Sequence, residues 1–204
     1  MIVKVCGLKD EFNIKEVIQL RPDAIGLIFH PESQRCVNTL FSKETLDAMQ
    51  MIPYRVGVFV HQSIEQIPKI LASYQLNTAQ LHGPYTPEDC ENLKNRELKV
   101  IKAIMIDKEI HSSDYEAYTG CVDYLLFDTK GPQAGGNGIV YERDLLKKYQ
   151  SKTPFLISGG IDLDEAMALR NFQHPAFKGI DINSKFEIEP GLKNIELLKK
   201  LLAV

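Results

Sequence analysis

Two side chains able to exchange protons each stand where an apolar run gives out. Cys6 follows MIVKV and precedes Gly7, and Asp128 follows YLLF and precedes Thr129 and Lys130. A thiolate accepts protons and a carboxylic acid donates them, so this pair has the types needed for general acid–base catalysis. Ordinary pKa values, ~8.5 for a thiol and ~3.9 for an aspartate, leave both in the wrong state at neutrality. Such a site must lower the first, raise the second, or react through a minority protonation state. Burial behind YLLF favours a protonated Asp128. The plainer readings are a cysteine packed as a small hydrophobe and a carboxylate satisfying backbone N–H groups.

Other polar residues fall at similar places. Arg35, in PESQRCV, can clamp a carboxylate with its planar fork or simply point into solvent. His82, in QLHG, can move a proton or fix its loop by hydrogen bonds. Ser158-Gly159-Gly160 before a helix pattern suits a phosphate, because glycines let backbone N–H groups approach an anion. Asn183 and Ser184 add side-chain donors beside it, and Asp181 adds an acid. Two ordinary glycine turns would read the same way. The stretch GPQAGGNG after Asp128 reads as a mobile lid or an inert loop, and no Gly-Lys-Ser/Thr follows it to make a nucleotide loop.

These residues need a scaffold that gathers them. Eight strand patterns run along the chain: Ile2–Cys6, Ala24–Phe29, Arg55–Val60, Thr78–Leu81, Lys99–Ile104, Tyr124–Asp128, Phe155–Ser158 and Phe177–Ile182. Continuous apolar runs such as VGVFV and KAIMI suit strands covered on both faces, as in parallel sheets. Helical patterns alternate with them. Ser63/Gln66 and Asp162/Glu165 form capping-box pairs, and Thr86-Pro87-Glu88-Asp89 combines a cap, a first-turn proline and two acids. Weaker helical stretches lie around residues 14–20, 43–51, 110–118 and 141–149, and NIELLKKLLAV closes the chain. Eight strand–helix units with short connections predict one closed (β/α)₈ barrel over residues 1–204, with a doubly wound sheet as the competing architecture. In a barrel the chemistry sits at the C-terminal strand ends, where every candidate above falls.

Bulk properties narrow the partners. The 204 residues carry a net charge of −3 with no long basic run, which argues against nucleic acid. No apolar run approaches the ~18 residues of a membrane span. Cys6, Cys36, Cys90 and Cys121 are too widely spaced for a metal or redox motif and read as free thiols in a reducing cytoplasm. No cofactor and no metal are expected.

From end to end the chain resembles the phosphoribosylanthranilate isomerase family of tryptophan biosynthesis. The resemblance is carried by KVCGLKD, GLIFHPESQRCV, VGVFVHQS, QLHG, LLFDTKGPQAGGNG, LISGGI and GIDINSKFEIEPGLKN, in the family's order. It implies an Amadori rearrangement of phosphoribosyl anthranilate on a (β/α)₈ barrel acting as a monomer or homodimer. It also implies that Cys6 is the general base and Asp128 the general acid. Arg35 would bind the anthranilate carboxylate, with His82 and Asp181 as further substrate contacts. Gly159, Gly160, Asn183 and Ser184 would hold the phosphate.

Two loops depart from the family pattern. Residues 135–139 read GGNGI where GG(T/S)GK is usual, and residues 181–185 read DINSK where DVSSG is usual. Another phosphosugar isomerase or epimerase, or a non-catalytic phosphate-binding barrel serving as a protein partner, are the alternatives.

Overall fold

The computed structural model describes residues 1–106, 109–129 and 145–203. The eight strands form where the apolar runs stand: β1 Ile2–Cys6, β2 Ala24–Ile28, β3 Tyr54–Phe59, β4 Thr78–Leu81, β5 Lys99–Ile106, β6 Tyr124–Thr129, β7 Phe155–Ser158 and β8 Phe177–Ile182. All pair in parallel in sequence order, and β8 closes on β1 to complete the barrel. Closure removes both sheet edges and leaves no unpaired ladder. The doubly wound sheet is thereby excluded. Strand ends differ from the sequence reading by one or two residues: Phe29 and Val60 fall outside, whereas β5 and β6 run further.

Described helices lie outside the sheet: α1 Glu11–Gln19, α2 Lys43–Met49, α3 Gln66–Ser73, α4 Pro87–Lys94, α5 Leu163–Leu169 and α6 Ile195–Leu202. The Thr86/Asp89 capping box forms in full, and Asp162 accepts from the Glu165 amide. At α3 the Gln66 side chain accepts from the Ser63 amide, but the Ser63 carbonyl, not its hydroxyl, receives the first helical N–H groups. The helix expected over residues 110–118 is instead two 3₁₀ turns, Ser112–Asp114 and Glu116–Tyr118. There Asp114 bonds back to the His111 amide, a local alternative to helical pairing. Aromatic packing holds the segment, with Tyr115 against Phe127 and Tyr149. Of the stretch expected over 141–149, residues 141–144 lie outside the described residues, and Leu146–Lys148 form a 3₁₀ turn.

Alternation along each strand divides the core in two. Outward residues such as Val3 and Val5 pack under the helices, whereas Cys6, Val56, Val58, Ile101, Ala103, Leu126 and Leu156 fill the barrel. Five polar side chains of the described barrel strands, Lys4, Thr78, Gln80, Lys102 and Asp181, are buried with the strands that carry them. After β8 a hairpin, β9 Glu187–Glu189 and β10 Leu192–Lys193, folds back on α1. Asn13 pins it, accepting from the Lys193 amide at 2.7 Å and donating to the Lys193 carbonyl at 3.0 Å.

The closing seam depends on Gly179. A Cβ there would overlap the Ile2 carbonyl oxygen and stand 2.6 Å from the Ile2 Cβ. Gly179→Ala must therefore push β8 off β1, and strain of this kind costs about 1–3 kcal/mol. Urea unfolding should show a lowered midpoint for Gly179→Ala. An unchanged midpoint would mean that the seam yields without cost.

Candidate active site

The C-terminal rim of the barrel collects Cys6, Asp128 and the loops between them. Lys4 and Cys6 share the inward parity of β1, and Lys4 stands opposite Asp181 in the β1–β8 register. Lys4 Nζ donates to Asp181 Oδ2 at 2.7 Å, with both side chains almost wholly buried. Gly26 on β2 makes room beside them, since a Cβ there would lie 2.7 Å from Cys6 Sγ and 3.1 Å from Lys4 Nζ. The thiol and the ammonium thus share one missing methyl group. Asp128 lies one residue before the end of β6, beside Ser158 of β7, and the two residues pair in register.

Burial dominates the titration of this cluster. The Asp128 carboxyl is pushed up to about 6 by burial and then by the Asp181 charge, with Lys4 and the Ser158 side chain pulling it back. Burial also raises the Cys6 thiol, assisted by Asp181 and opposed by Lys4 and Lys193. Of the routes open to the pair, the site takes the raised acid and does not lower the thiol. The ordinary order of acidity of the two groups is therefore kept. Burial lowers the Lys4 ammonium, but Asp181 and Cys6 outweigh it and hold the charge in place.

A cavity of about 180 Å³ opens between the ends of β6, β7 and β8. Asp128, Gly159, Gly160, Asp181, Asn183 and Ser184 all line it, and Lys185 lines it too. The sequence candidates for the acid and the phosphate thus meet in one place. Gly159 and Gly160 adopt φ of +96° and +64°, which explains the glycines. Asn183 is partly committed elsewhere, because its Oδ1 accepts from Lys193 Nζ at 2.8 Å. The helix after the glycines brings acids of its own, Asp162, Asp164 and Glu165, so the turn and Lys185 suit an anion better than the helix end does.

Arg35 is found in a different state from a free clamp. Its Nε and Nη2 grip the Glu187 carboxylate at 2.6–3.0 Å, and Lys193 Nζ reaches the same carboxylate at 2.8 Å. Burial would raise the Glu187 carboxyl, yet the Arg35 and Lys193 hydrogen bonds hold it below the ordinary range. Gly7, at φ +78°, brings the first loop against this group: a Cβ there would lie 2.5 Å from Asn183 Oδ1 and 2.8 Å from Arg35 Cδ. His82 follows β4, where its amide donates to the Phe59 carbonyl. Burial and then Lys102 lower its imidazole, which keeps the ring neutral near pH 7. Cys6, Arg35 and His82 do not line the 180 Å³ cavity. Lys130 and residues 135–139 of the glycine-rich stretch lie outside the described residues.

Sequence reasoning missed Lys4, Glu187 and Lys193. A charge within the apolar run MIVKV, two residues before Cys6 and so on its face, was the available signal for Lys4. For Glu187 and Lys193 the sequence carries only two charges among several.

A closed parallel barrel with a thiol and a raised carboxyl at its C-terminal rim is the framework of a (β/α)₈ acid–base enzyme. The family model described as N-(5'phosphoribosyl)anthranilate (PRA) isomerase matches residues 3–204, and the chain belongs to that family. The N-(5'-phosphoribosyl)anthranilate isomerase of Parabacteroides distasonis is 44% identical over 203 residues, which span 99% of this chain and 92% of that one. The crystal structure of the Thermotoga maritima phosphoribosyl anthranilate isomerase matches with a TM-score of 0.78 at 28% identity, over 99% and 97% of the two chains. A phosphoribosyl anthranilate isomerase solved in complex with reduced 1-(o-carboxyphenylamino)-1-deoxyribulose 5-phosphate matches with a TM-score of 0.71 at 27% identity, over 99% and 97%. Among the described residues no helix is long and apolar enough to cross a membrane.

The raised Asp128 carboxyl has a consequence for stability. Its folded value of about 6 exceeds the ordinary 3.8, so the folded state keeps a proton that the unfolded chain releases. The associated stability is present below the unfolded value and lost as pH rises through about 6. Asp128→Asn removes that pH-dependent loss. It should stabilise the fold at pH 8 by on the order of 2–3 kcal/mol relative to its effect near pH 3. Denaturant unfolding at the two pH values checks this. An equal effect at both would show that Asp128 is not raised.

Proposed function

We infer that this chain catalyses the Amadori rearrangement of N-(5-phosphoribosyl)anthranilate to 1-(2-carboxyphenylamino)-1-deoxyribulose 5-phosphate, a step of tryptophan biosynthesis. Membership of the isomerase family supports the reaction. The observation that carries the mechanism is Asp128, held up to about 6 in the cavity that the glycine turn lines. A carboxyl of that pKa can donate a proton near neutrality, which opening the ribosylamine ring requires. Asp128 protonates the ring oxygen while the anilino lone pair expels it, leaving an iminium. The iminium acidifies the C2′ proton, which passes to the Cys6 sulfur. Protonation of the enolamine at C1′ by the Cys6 thiol, with loss of the 2′-hydroxyl proton to water or to the ionised Asp128, completes the ketone and regenerates both groups. The barrel supplies orientation and proton transfer.

Binding roles follow the loops. Gly159, Gly160 and Ser184, with the Asn183 carboxamide, hold the phosphate, and Lys185 supplies a cation where the family usually has glycine. Asp181 contacts the sugar: its Oδ1 is buried and accepts no hydrogen bond among the described residues. Arg35 presents the guanidinium edge left over by Glu187 to the anthranilate carboxylate, and His82 serves as a neutral hydrogen-bonding contact. The whole barrel acts as one catalytic domain in the cytoplasm, as a monomer or homodimer, on a small molecule and with no nucleic-acid or membrane partner.

Turnover of freshly prepared substrate, together with rescue of a tryptophan auxotroph lacking the isomerase, tests the reading. Cys6→Ser and Asp128→Asn should each lose at least ~100-fold in kcat, the usual scale for acid–base groups, with much smaller changes in KM. Near-normal kcat in folded Cys6→Ala would return Cys6 to a core role. Gly160→Asp places a carboxylate in the phosphate cavity and should raise KM by tenfold or more, since a desolvated like-charge contact costs several kcal/mol. An unchanged KM in folded Gly160→Asp would remove the phosphate from this turn.

A further inference from the structure

We infer that Lys4 is the positioning residue of the base: its buried ammonium, held by Asp181, faces the Cys6 sulfur across the side-chain-free surface of Gly26 and offsets the charge of the thiolate. The inference rests on the reading of Cys6 as the base. Three observations lead to it. A lysine with no exposed surface inside a barrel needs a counter-charge, and Asp181 provides one at 2.7 Å through the seam strands β1 and β8. That bond fixes the ammonium, so it is oriented before any ligand arrives. The space over Gly26 then brings Nζ to the sulfur, since both atoms crowd the same absent methyl group at 3.1 and 2.7 Å.

The charges around the sulfur leave Lys4 a defined task. Asp181 from β8 opposes the thiolate, while Lys4 from β1 and Lys193 from β10 favour it. Lys193 is already committed to Glu187 and Asn183. Across the mouth, Asp128 from β6 and His82 beyond β4 both feel the Lys4–Asp181 pair. Lys4 keeps its protons throughout. The C2′ proton goes to sulfur, and the ammonium stabilises the anion that precedes that transfer.

Lys4→Gln keeps a hydrogen-bond donor for Asp181 and deletes the charge. Thiolate absorbance, taken as the difference from the same protein with Cys6→Ser, titrates the sulfur without needing turnover. Lys4→Gln should raise the thiol pKa by about one unit, reducing thiolate near neutrality about tenfold, and Lys4→Arg should restore most of it. The kcat of Lys4→Gln should fall by a similar factor with little change in KM. If Lys4→Gln does not fold, Gly26→Ala separates sulfur from ammonium with every charge retained and should shift the same titration. A wild-type titration curve in either folded variant overturns the inference. So does an equal shift in Lys4→Gln and Lys4→Arg, which would mean that the lysine acts by packing alone. A shifted titration in a protein that fails to turn over phosphoribosyl anthranilate would support the role of Lys4 while refuting the proposed reaction.

Discussion

The ion pair between Lys4 and Asp181 sits where the barrel closes and where its chemistry begins. The two residues are 177 positions apart and meet only because β8 pairs with β1 in one register. A slip of either strand by one residue would turn its own charge outward, into the apolar layer beneath the helices, and leave the other unpaired inside the barrel. Buried ion pairs seldom add much net stability, because desolvation offsets attraction, but breaking one leaves a costly lone charge. This pair therefore specifies the seam more than it strengthens it. It also sets the field at the mouth, since Asp181 raises and Lys4 lowers both the Cys6 thiol and the Asp128 carboxyl.

A second charged group organises the rim. Glu187 receives Arg35 from the loop after β2 and Lys193 from its own hairpin, and Lys193 reaches on to Asn183. Asn13 ties the hairpin to α1. The first, second and eighth loops are thereby held as one unit, with Gly7 packed against Arg35 and Asn183 where no side chain would fit. Loops fixed in this way can present donors at set distances without a ligand to order them, which lowers the entropy lost on binding. Because Glu187 takes the Nε–Nη2 edge of the guanidinium, Arg35 is a shared group rather than a free clamp.

Asp128 and Cys6 differ in how their surroundings tune them. Asp128 is displaced into a useful range by burial, whereas Cys6 is moved away from its reactive state by the same cause. A thiol raised in this way is a thiolate near neutrality only in a less populated arrangement. The nearby lysines limit how rare that arrangement is.

Much of this protein was legible in the sequence because much of it is local. Continuous apolar runs mark strands buried on both faces, and side chains of neighbouring residues cap the helices, so eight strand–helix units could be counted without contacts. Once eight parallel units are given, their C-terminal ends form one rim, and Cys6, Asp128, Gly159, Gly160, Asp181 and Ser184 fall on it by position alone. What the tertiary structure decided depends on partners remote in sequence. Asn13 finds Lys193 at a separation of 180 residues and Arg35 finds Glu187 at 152, and neither choice leaves a local mark. The segment after β5 becomes 3₁₀ turns because Tyr115 packs on Phe127 and Tyr149, which outweighs its weak helical pattern. The titration of Cys6 and Asp128 was likewise beyond the sequence, because burial and the charges of Lys4 and Asp181 are properties of the closed barrel.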